Sequence, residues 1–123
     1  PASKNIKAYA LLAAIFKNSA PVFGPLLAWG EVACAVWPVP PTRKVGPATA
    51  IGSPPILVVG TTQDPATPYQ WAVNLAHELS HGVLLTRDGS DHVAYFYSSC
   101  VRSYIQTYLV TLATPPVGAV CRD

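Results

Sequence analysis

Two groups of residues in this sequence pair an acid with histidine in a pattern that could do chemistry. The first is "HELSH", residues 77–81, which fits H-E-x-x-H. Two histidines four residues apart on a helix can share a zinc ion, with the glutamate between them as general base. The second is Asp64 with His92, each just after a short apolar run. A carboxylate bonded to one imidazole nitrogen fixes the tautomer and leaves the other nitrogen as a base.

The HELSH pattern lacks the surroundings of a zinc site. The apolar residues of the predicted helix share one face, and His77 and His81 lie roughly 140° to 180° from its centre, so they are expected to face water. Arg87 stands where an extended motif would place a third histidine, and Glu78 is the last glutamate in the chain. We therefore predict two solvated histidines and no metal. A zinc hydrolase using His77, His81 and His92 stays as a rival interpretation.

Strands and helices alternate in the second half of the sequence. Apolar periodicity, β-branched runs and prolines predict a helix at 4–18, a broken helix at 22–37, a loop at 38–55, a strand at 56–60, a helix from about 68 to 80, a strand at 83–86 and a helix at 97–112. The first helix is apolar on nearly every side, which predicts burial on several sides. Thr67 is predicted to cap the middle helix, with Gln70 completing a capping box. The alternation predicts an α/β fold with parallel strands, and two strands are too few for a sheet that stands alone.

Asp64 and His92 fall where such a sheet gathers its functional groups. Each follows a predicted strand, and the carboxyl ends of parallel strands meet at one edge of the sheet. The order, acid before histidine, matches the last two members of the Ser…Asp…His triad of α/β-hydrolases. The alternatives are that Asp64 before Pro65 is an ordinary turn residue and that "GSDH" (89–92) is an ordinary loop.

The composition limits the class of protein. Of the 123 residues, 50% are hydrophobic and only 11% are charged, whereas a typical soluble domain has about 25% charged residues. Much of the surface is therefore expected to be covered by something else, as in a piece of a longer protein. The net charge of +2 gives no case for nucleic acid, and no apolar run is long enough to span a membrane. Three cysteines leave one unpaired in an exported protein, or three reduced thiols in a cytosolic one.

Several segments together resemble one family. "PPILVVGTTQDPATPYQWAVNLAHEL", "GVLLTRDGSDHVAYFYSSCVRSYIQTYL" and "PPVGAVC" are similar to the C-terminal region of the tripeptidyl-aminopeptidase-like (TAP-like) family. These are exported serine hydrolases of the α/β-hydrolase fold. The matching motifs are the D-x-x-T-P turn, the G-x-x-H loop, the cysteine eight residues after the histidine and a closing cysteine. "CAVWP" at 34–38 resembles the family segment that precedes this region.

The resemblance implies a role for each candidate residue. Asp64 would be the triad acid and His92 the triad base, Cys100 and Cys121 would form a disulfide, and Cys34 would pair with a cysteine outside this chain. Residues 1–52 would be a helical cap-like segment with a Pro-rich linker, and residues 53–123 the C-terminal α/β-hydrolase region. The protein would be secreted or associated with the cell envelope. It would act on peptide or ester substrates, most directly as an aminopeptidase, and would need no cofactor.

The sequence departs from the family pattern in two places. "TLATPP" lacks the glycine that usually precedes the last proline turn, which concerns only a turn. More important, no serine stands in a G-x-S-x-G nucleophile elbow; the serines are Ser3, Ser19, Ser53, Ser80, Ser90, Ser98, Ser99 and Ser103. The nucleophile is therefore expected upstream, outside this chain, and the chain alone is expected to be inactive. A binding or structural domain of the same fold, with its triad unused, is the other rival.

Overall fold

The computed structural model describes residues 4–40, 42 and 46–123, which form two compact units, Pro1–Lys44 and Val45–Asp123. Of the loop predicted at 38–55, residues 41 and 43–45 lie outside the described part. Ser3 lies outside it as well. The predicted boundary between residues 52 and 53 falls inside the second unit.

The first unit contains three helices, α1 (Ile6–Ser19), α2 (Gly24–Ala28) and α3 (Val32–Val36). The α1–α2 turn requires Gly24, because a Cβ there would lie 2.4 Å from the carbonyl oxygen of Phe16. Tyr9 stacks on Trp29 and its hydroxyl donates to the Glu31 carbonyl. Tyr9 is also the one buried residue of α1, so the predicted burial on several sides is wrong for this chain. The α1 face that contacts α2 and α3 is covered, but Leu11 and Ile15 are more than half exposed.

The second unit is built on a parallel sheet. Its strands are β1 (Ile56–Thr61), β2 (Gly82–Arg87) and β3 (Val120–Cys121), in the order β1-β2-β3. Ile56 to Thr61 pair in register with Gly82 to Arg87, and both neighbouring pairs are parallel. The predicted parallel βαβ unit is confirmed. The two-residue strand β3 was not predicted.

Helices cover both faces of this sheet. One face carries α4 (Tyr69–Glu78), which approaches β1 closely because Gly60 has no side chain: a Cβ there would lie 2.7 Å from the Cβ of Ala72. The other face carries α5 (Ala94–Tyr97) and α6 (Ser99–Thr111). The core lies on that second face, where the most deeply buried residues are Leu85, Ala94, Val101 and Cys121. The predicted last helix, 97–112, corresponds to α6 (Ser99–Thr111), and the short helix α5 before it was not predicted.

Candidate active site

Asp64 lies in the turn that follows β1, and its carboxylate organises that turn. Oδ1 accepts hydrogen bonds from the backbone N–H groups of Ala66 (2.7 Å) and Thr67 (2.8 Å). Oδ2 accepts from the Thr67 hydroxyl at 2.8 Å. The side chain is only 6% exposed. A buried carboxylate with this many donors has a fixed orientation.

The role predicted for Thr67 is wrong. α4 begins at Tyr69, its N-cap is Pro68, and no side chain caps it. Thr67 stands one position before the N-cap, and its hydroxyl donates to Asp64 instead. Gln70 completes no capping box, since its side chain donates to Asn74.

His92 reaches Asp64 from the loop that follows β2. Nδ1 of its ring lies 3.0 Å from Oδ2 and 3.2 Å from Oδ1 of Asp64, which confirms the predicted contact. Because an ionised carboxylate can only accept, we assign the proton of the neutral ring to Nδ1. Nε2 is then left as an acceptor. The His92 side chain is half exposed, so its ring is open to an incoming group.

The backbone immediately after His92 is also unusual. Val93 has φ +66° and ψ +69°, in the left-handed region that β-branched residues rarely adopt. This turn leads directly into α5, whose N-cap is Val93. The left-handed residue therefore lies directly between His92 and α5.

The two loops that carry Asp64 and His92 are joined by hydrogen bonds. The Thr62 N–H donates to the Arg87 carbonyl, and the Gln63 N–H donates to the Gly89 carbonyl, both at 2.9 Å. The Thr62 hydroxyl accepts from the Gly89 N–H at 3.1 Å and lies 3.2 Å from Oδ1 of Asp88. These bonds fix the separation of the loops, and with it the Asp64–His92 contact. The sequence signal for them is a threonine at the end of a strand beside a glycine loop, which is too common to single out.

The surroundings of Asp64 hold its pKa well below its ordinary value. The backbone N–H of Thr67 is the main cause, and the bonds from His92, from the Ala66 N–H and from the Thr67 hydroxyl act in the same direction. Burial opposes them by raising the pKa, but does not outweigh them. Asp64 is therefore ionised at neutral pH and can stabilise a positive imidazolium.

A groove of about 400 Å³ opens beside the pair. Its walls come from β1, from α4, from residues 92–95 and from α6; they include Val59, Gly60, Trp71, Leu75, Tyr95 and Ile105. Both helical layers line it, but no residue of β2 does. It therefore runs along the edge of β1 that faces away from β2, and Asp64 and His92 contribute to its wall.

The HELSH residues are not arranged as the zinc motif requires. α4 ends at Glu78 and Leu79 is extended, so His81 lies outside the helix and the premise of two histidines on one helix is wrong. Gly82 explains why α4 ends early. A Cβ at Gly82 would clash with the Ala76 carbonyl oxygen, so the first residue of β2 packs directly against the helix. In the described residues no group of three potential ligands is positioned to hold a metal ion.

His81 and His92 flank β2 at its two ends. Six residues of strand separate them, or about 20 Å at ~3.3 Å per residue. A single zinc ion cannot bind both.

The HELSH residues instead hold the segment before β1. Oε1 of Glu78 accepts from the Ala48 N–H at 2.5 Å. The Ser80 N–H and hydroxyl both donate to the Thr49 carbonyl at 2.8 Å. Nδ1 of His81 lies 3.1 Å from the Ser53 carbonyl oxygen. We call residues 78–81 the strap, because they tie 48–53 to the start of β2.

The disulfide implied by the resemblance is present. Cys100, at the start of α6, is bonded to Cys121 in β3, with 5.7 Å between their Cα atoms. Cys34 is exposed and has no disulfide partner in the described residues. A partner for Cys34 outside the chain stays a prediction.

Comparison with known proteins identifies the family. The family model described as "TAP-like protein" matches residues 20–121. The serine protease Hip1 of Mycobacterium tuberculosis is 49% identical over 89 residues, which are 72% of this chain and 17% of the relative. Carboxylesterase B of the same species is 40% identical over 105 residues, 79% of this chain and 20% of the relative.

A tripeptidyl aminopeptidase of Streptomyces coelicolor is 35% identical over 96 residues, 76% of this chain and 18% of the relative. The chain thus spans about a fifth of the length of the curated relatives that it matches. The parallel sheet with helices on both faces agrees with the C-terminal part of an α/β-hydrolase. On this match, the chain belongs to the TAP-like family of α/β-hydrolases.

Proposed function

We propose that this chain is the C-terminal part of an exported serine hydrolase, an aminopeptidase that releases short peptides from the N-terminus of its substrates. The chain supplies the acid, Asp64, and the base, His92, of a Ser-His-Asp triad. The observation that carries the proposal is the 3.0 Å contact between Oδ2 of Asp64 and Nδ1 of His92, at the carboxyl ends of two adjacent parallel strands.

The geometry supports a two-step acyl transfer. Nε2 of His92 takes the proton from a serine hydroxyl as the serine oxygen attacks the substrate carbonyl, and then gives that proton to the leaving amine. A water molecule repeats the sequence on the acyl-enzyme and releases the acid product. Asp64 stays ionised throughout: it holds the Nδ1 proton and stabilises the imidazolium.

The serine is proposed to lie in an upstream part of the same protein. No described strand pairs with the second edge of β1, so its outward N–H and C=O groups lack ladder partners. The apolar groove runs along this edge between the two helical layers, where a further parallel strand would fit. A nucleophile at the carboxyl end of such a strand would face His92, because parallel strands end at the same side of the sheet.

Export of the protein and the role of residues 1–52 are supported by the disulfide and by the exposed apolar side chains. A disulfide in a small α/β domain is typical of oxidising compartments, as expected for an exported or envelope protein. Among the described residues, no helix has the length and apolarity needed to cross a bilayer. We propose residues 1–52 as a cap-like segment, whose many exposed apolar side chains would shape the substrate pocket or pack against the upstream part.

The proposal is tested with the full-length protein and a tripeptide p-nitroanilide whose N-terminus is free. We expect hydrolysis by the full-length protein and none by the 123-residue chain above the background of free imidazole. His92→Ala should remove nearly all activity, whereas His77→Ala, which changes an exposed histidine on α4, should not. Full activity in His92→Ala would show that the triad assignment is wrong.

Blocking the substrate N-terminus tests the aminopeptidase part separately. An aminopeptidase should lose most of its activity on the acetylated tripeptide, because the free amine can no longer be bound. Equal rates on both peptides, or hydrolysis of p-nitrophenyl esters alone, would favour an endopeptidase or an esterase of the same triad.

A further inference from the structure

Arg87, the last residue of β2, carries a buried charge that the triad does not use. Its side chain is 10% exposed and lies between two carboxylates. Nε is 3.3 Å from Oδ2 of Asp91, and Nη1 is 3.7 Å from Oδ1 of Asp123. A buried guanidinium needs such partners, since an unpaired charge in this position is strongly unfavourable.

The first carboxylate belongs to the residue immediately before His92. Asp91 is four residues after Arg87, so the loop between them folds around the guanidinium. Gly89 shows how closely: a Cβ there would lie 3.1 Å from Nε of Arg87 and 3.3 Å from Oδ2 of Asp91. The path of the backbone into His92 is thus shaped around the Arg87–Asp91 pair.

The second carboxylate anchors the guanidinium to the start of α6. Asp123 accepts from the hydroxyls of Ser98 (2.5 Å) and Ser99 (2.6 Å) and from the Cys100 N–H (3.0 Å). Ser98 is fully buried. These bonds, that of Ser98 foremost, hold the pKa of Asp123 well below its ordinary value, so Arg87 faces a fixed negative charge.

We propose that Arg87 is a positioning residue for His92. Anchored on Asp123, it holds Asp91, and through Asp91 it sets the backbone that aims Nδ1 of His92 at Asp64 and Nε2 at the nucleophile. The inference rests on the proposed triad but assigns a role outside it. A residue that only stabilises the fold would change the melting temperature and leave the chemical step alone.

Kinetics of the full-length protein separate these roles. Arg87→Gln should lower kcat about 10- to 100-fold with KM nearly unchanged, because a misplacement of about 1 Å at a catalytic group can cost about 100-fold. Arg122→Gln is the matched control. Arg122 pairs with Asp88 of the same loop at 3.6 Å, but their side chains are 71% and 51% exposed. This control should keep the kcat of the natural protein.

Two further variants keep the test decisive if Arg87→Gln fails to fold. Asp91→Ala breaks the same pair from its more exposed side and should lower kcat to a similar extent. Arg87→Lys keeps the charge but not the fork that contacts both carboxylates, so its kcat should fall between those of Arg87→Gln and the natural protein.

The result that overturns the inference is a kcat in Arg87→Gln or Asp91→Ala equal to that of Arg122→Gln, whatever the melting temperature. His92→Ala, measured in parallel, reports on the triad itself. If His92→Ala is inactive and the Arg87 and Asp91 variants are not impaired, the positioning role fails and the proposed function stands.

Discussion

Two acid–histidine groups lie at opposite ends of β2, and their side chains bind different kinds of group. At the amino end, Glu78 and His81 of the strap bind backbone groups of residues 48–53. At the carboxyl end, Asp64 binds the ring of His92, and half of that side chain remains open to the groove. Each end thus has one acidic residue and one histidine.

The difference lies in the group that each histidine binds. His81 has Nδ1 beside the Ser53 carbonyl, and Glu78 accepts from a backbone N–H, so both serve to hold a connecting segment. Nδ1 of His92 binds a carboxylate, which can stabilise a positive imidazolium, whereas the carbonyl beside His81 carries no net charge. The comparison teaches that a histidine beside an acid becomes a catalytic candidate when both lie at the carboxyl ends of parallel strands.

The largest difference in kcat between the two ends is expected when the carboxylates of Asp64 and Glu78 are each replaced by an amide. Asp64→Asn should lower kcat of the full-length protein by as much as about 10⁴-fold, because the imidazole loses control of its tautomer. Glu78→Gln should leave kcat unchanged, since the amide oxygen can still accept from Ala48. Steady-state hydrolysis of the tripeptide p-nitroanilide measures both. Equal losses in the two variants would erase the distinction between the ends.

The disulfide near the carboxyl end of β2 and the hydrogen bonds of the strap at its amino end should also differ in how much they stabilise the protein. The Cys100–Cys121 disulfide ties α6 to β3 beside the carboxyl end and closes a loop with a sequence separation of 21 residues. Replacing both cysteines by serine should lower the free energy of unfolding by about 3 kcal/mol. Ser80→Ala in the strap removes one hydroxyl bond and should cost only about 1 kcal/mol. Urea denaturation compares them, and a strap variant that costs more than the disulfide would reverse the ranking.

Low pH should destabilise the protein by protonating the carboxylates of Asp64 and Asp123. The folded-state pKa values of Asp64 and Asp123 lie below their unfolded values, about 3.9. Their stabilising contribution is therefore fully present well above that value and is lost as the pH falls toward the folded-state pKa. The melting temperature should drop between about pH 5 and pH 3, and Asp123→Asn should make that drop shallower. An unchanged slope in Asp123→Asn would contradict the assignment.

The smallest expected effect concerns zinc. Equilibrium dialysis of the full-length protein should show no stoichiometric zinc that depends on His77 and His81. The reason is that His77 lies on α4 and His81 outside it. The His77→Ala/His81→Ala double variant should bind as much as the natural protein. A stoichiometric zinc ion lost in the double variant would give the amino end a chemistry of its own.

Several of these features could be predicted from the sequence because they follow from long, regular patterns. The β-branched run at 56–60 and the apolar run at 83–86 gave two parallel strands, and their order placed Asp64 and His92 within reach. Segments too short for any periodicity were missed: α5 has four residues and β3 has two. Another error concerned the first residue of a helix. Thr67 has the residue type of a helix cap, but α4 begins two residues later and the Thr67 hydroxyl donates to Asp64.

The unpaired edge of β1 bears on how the chain can be produced. A strand with one bare side is a template for another strand, and natural proteins keep such edges short, charged or covered. Every residue from Ile56 to Thr61 is uncharged. Made by itself, the chain should therefore associate edge to edge and collect in inclusion bodies. If an upstream part of the protein is synthesised first, β1 can pair with a strand of that part as soon as β1 forms, and its edge is then covered.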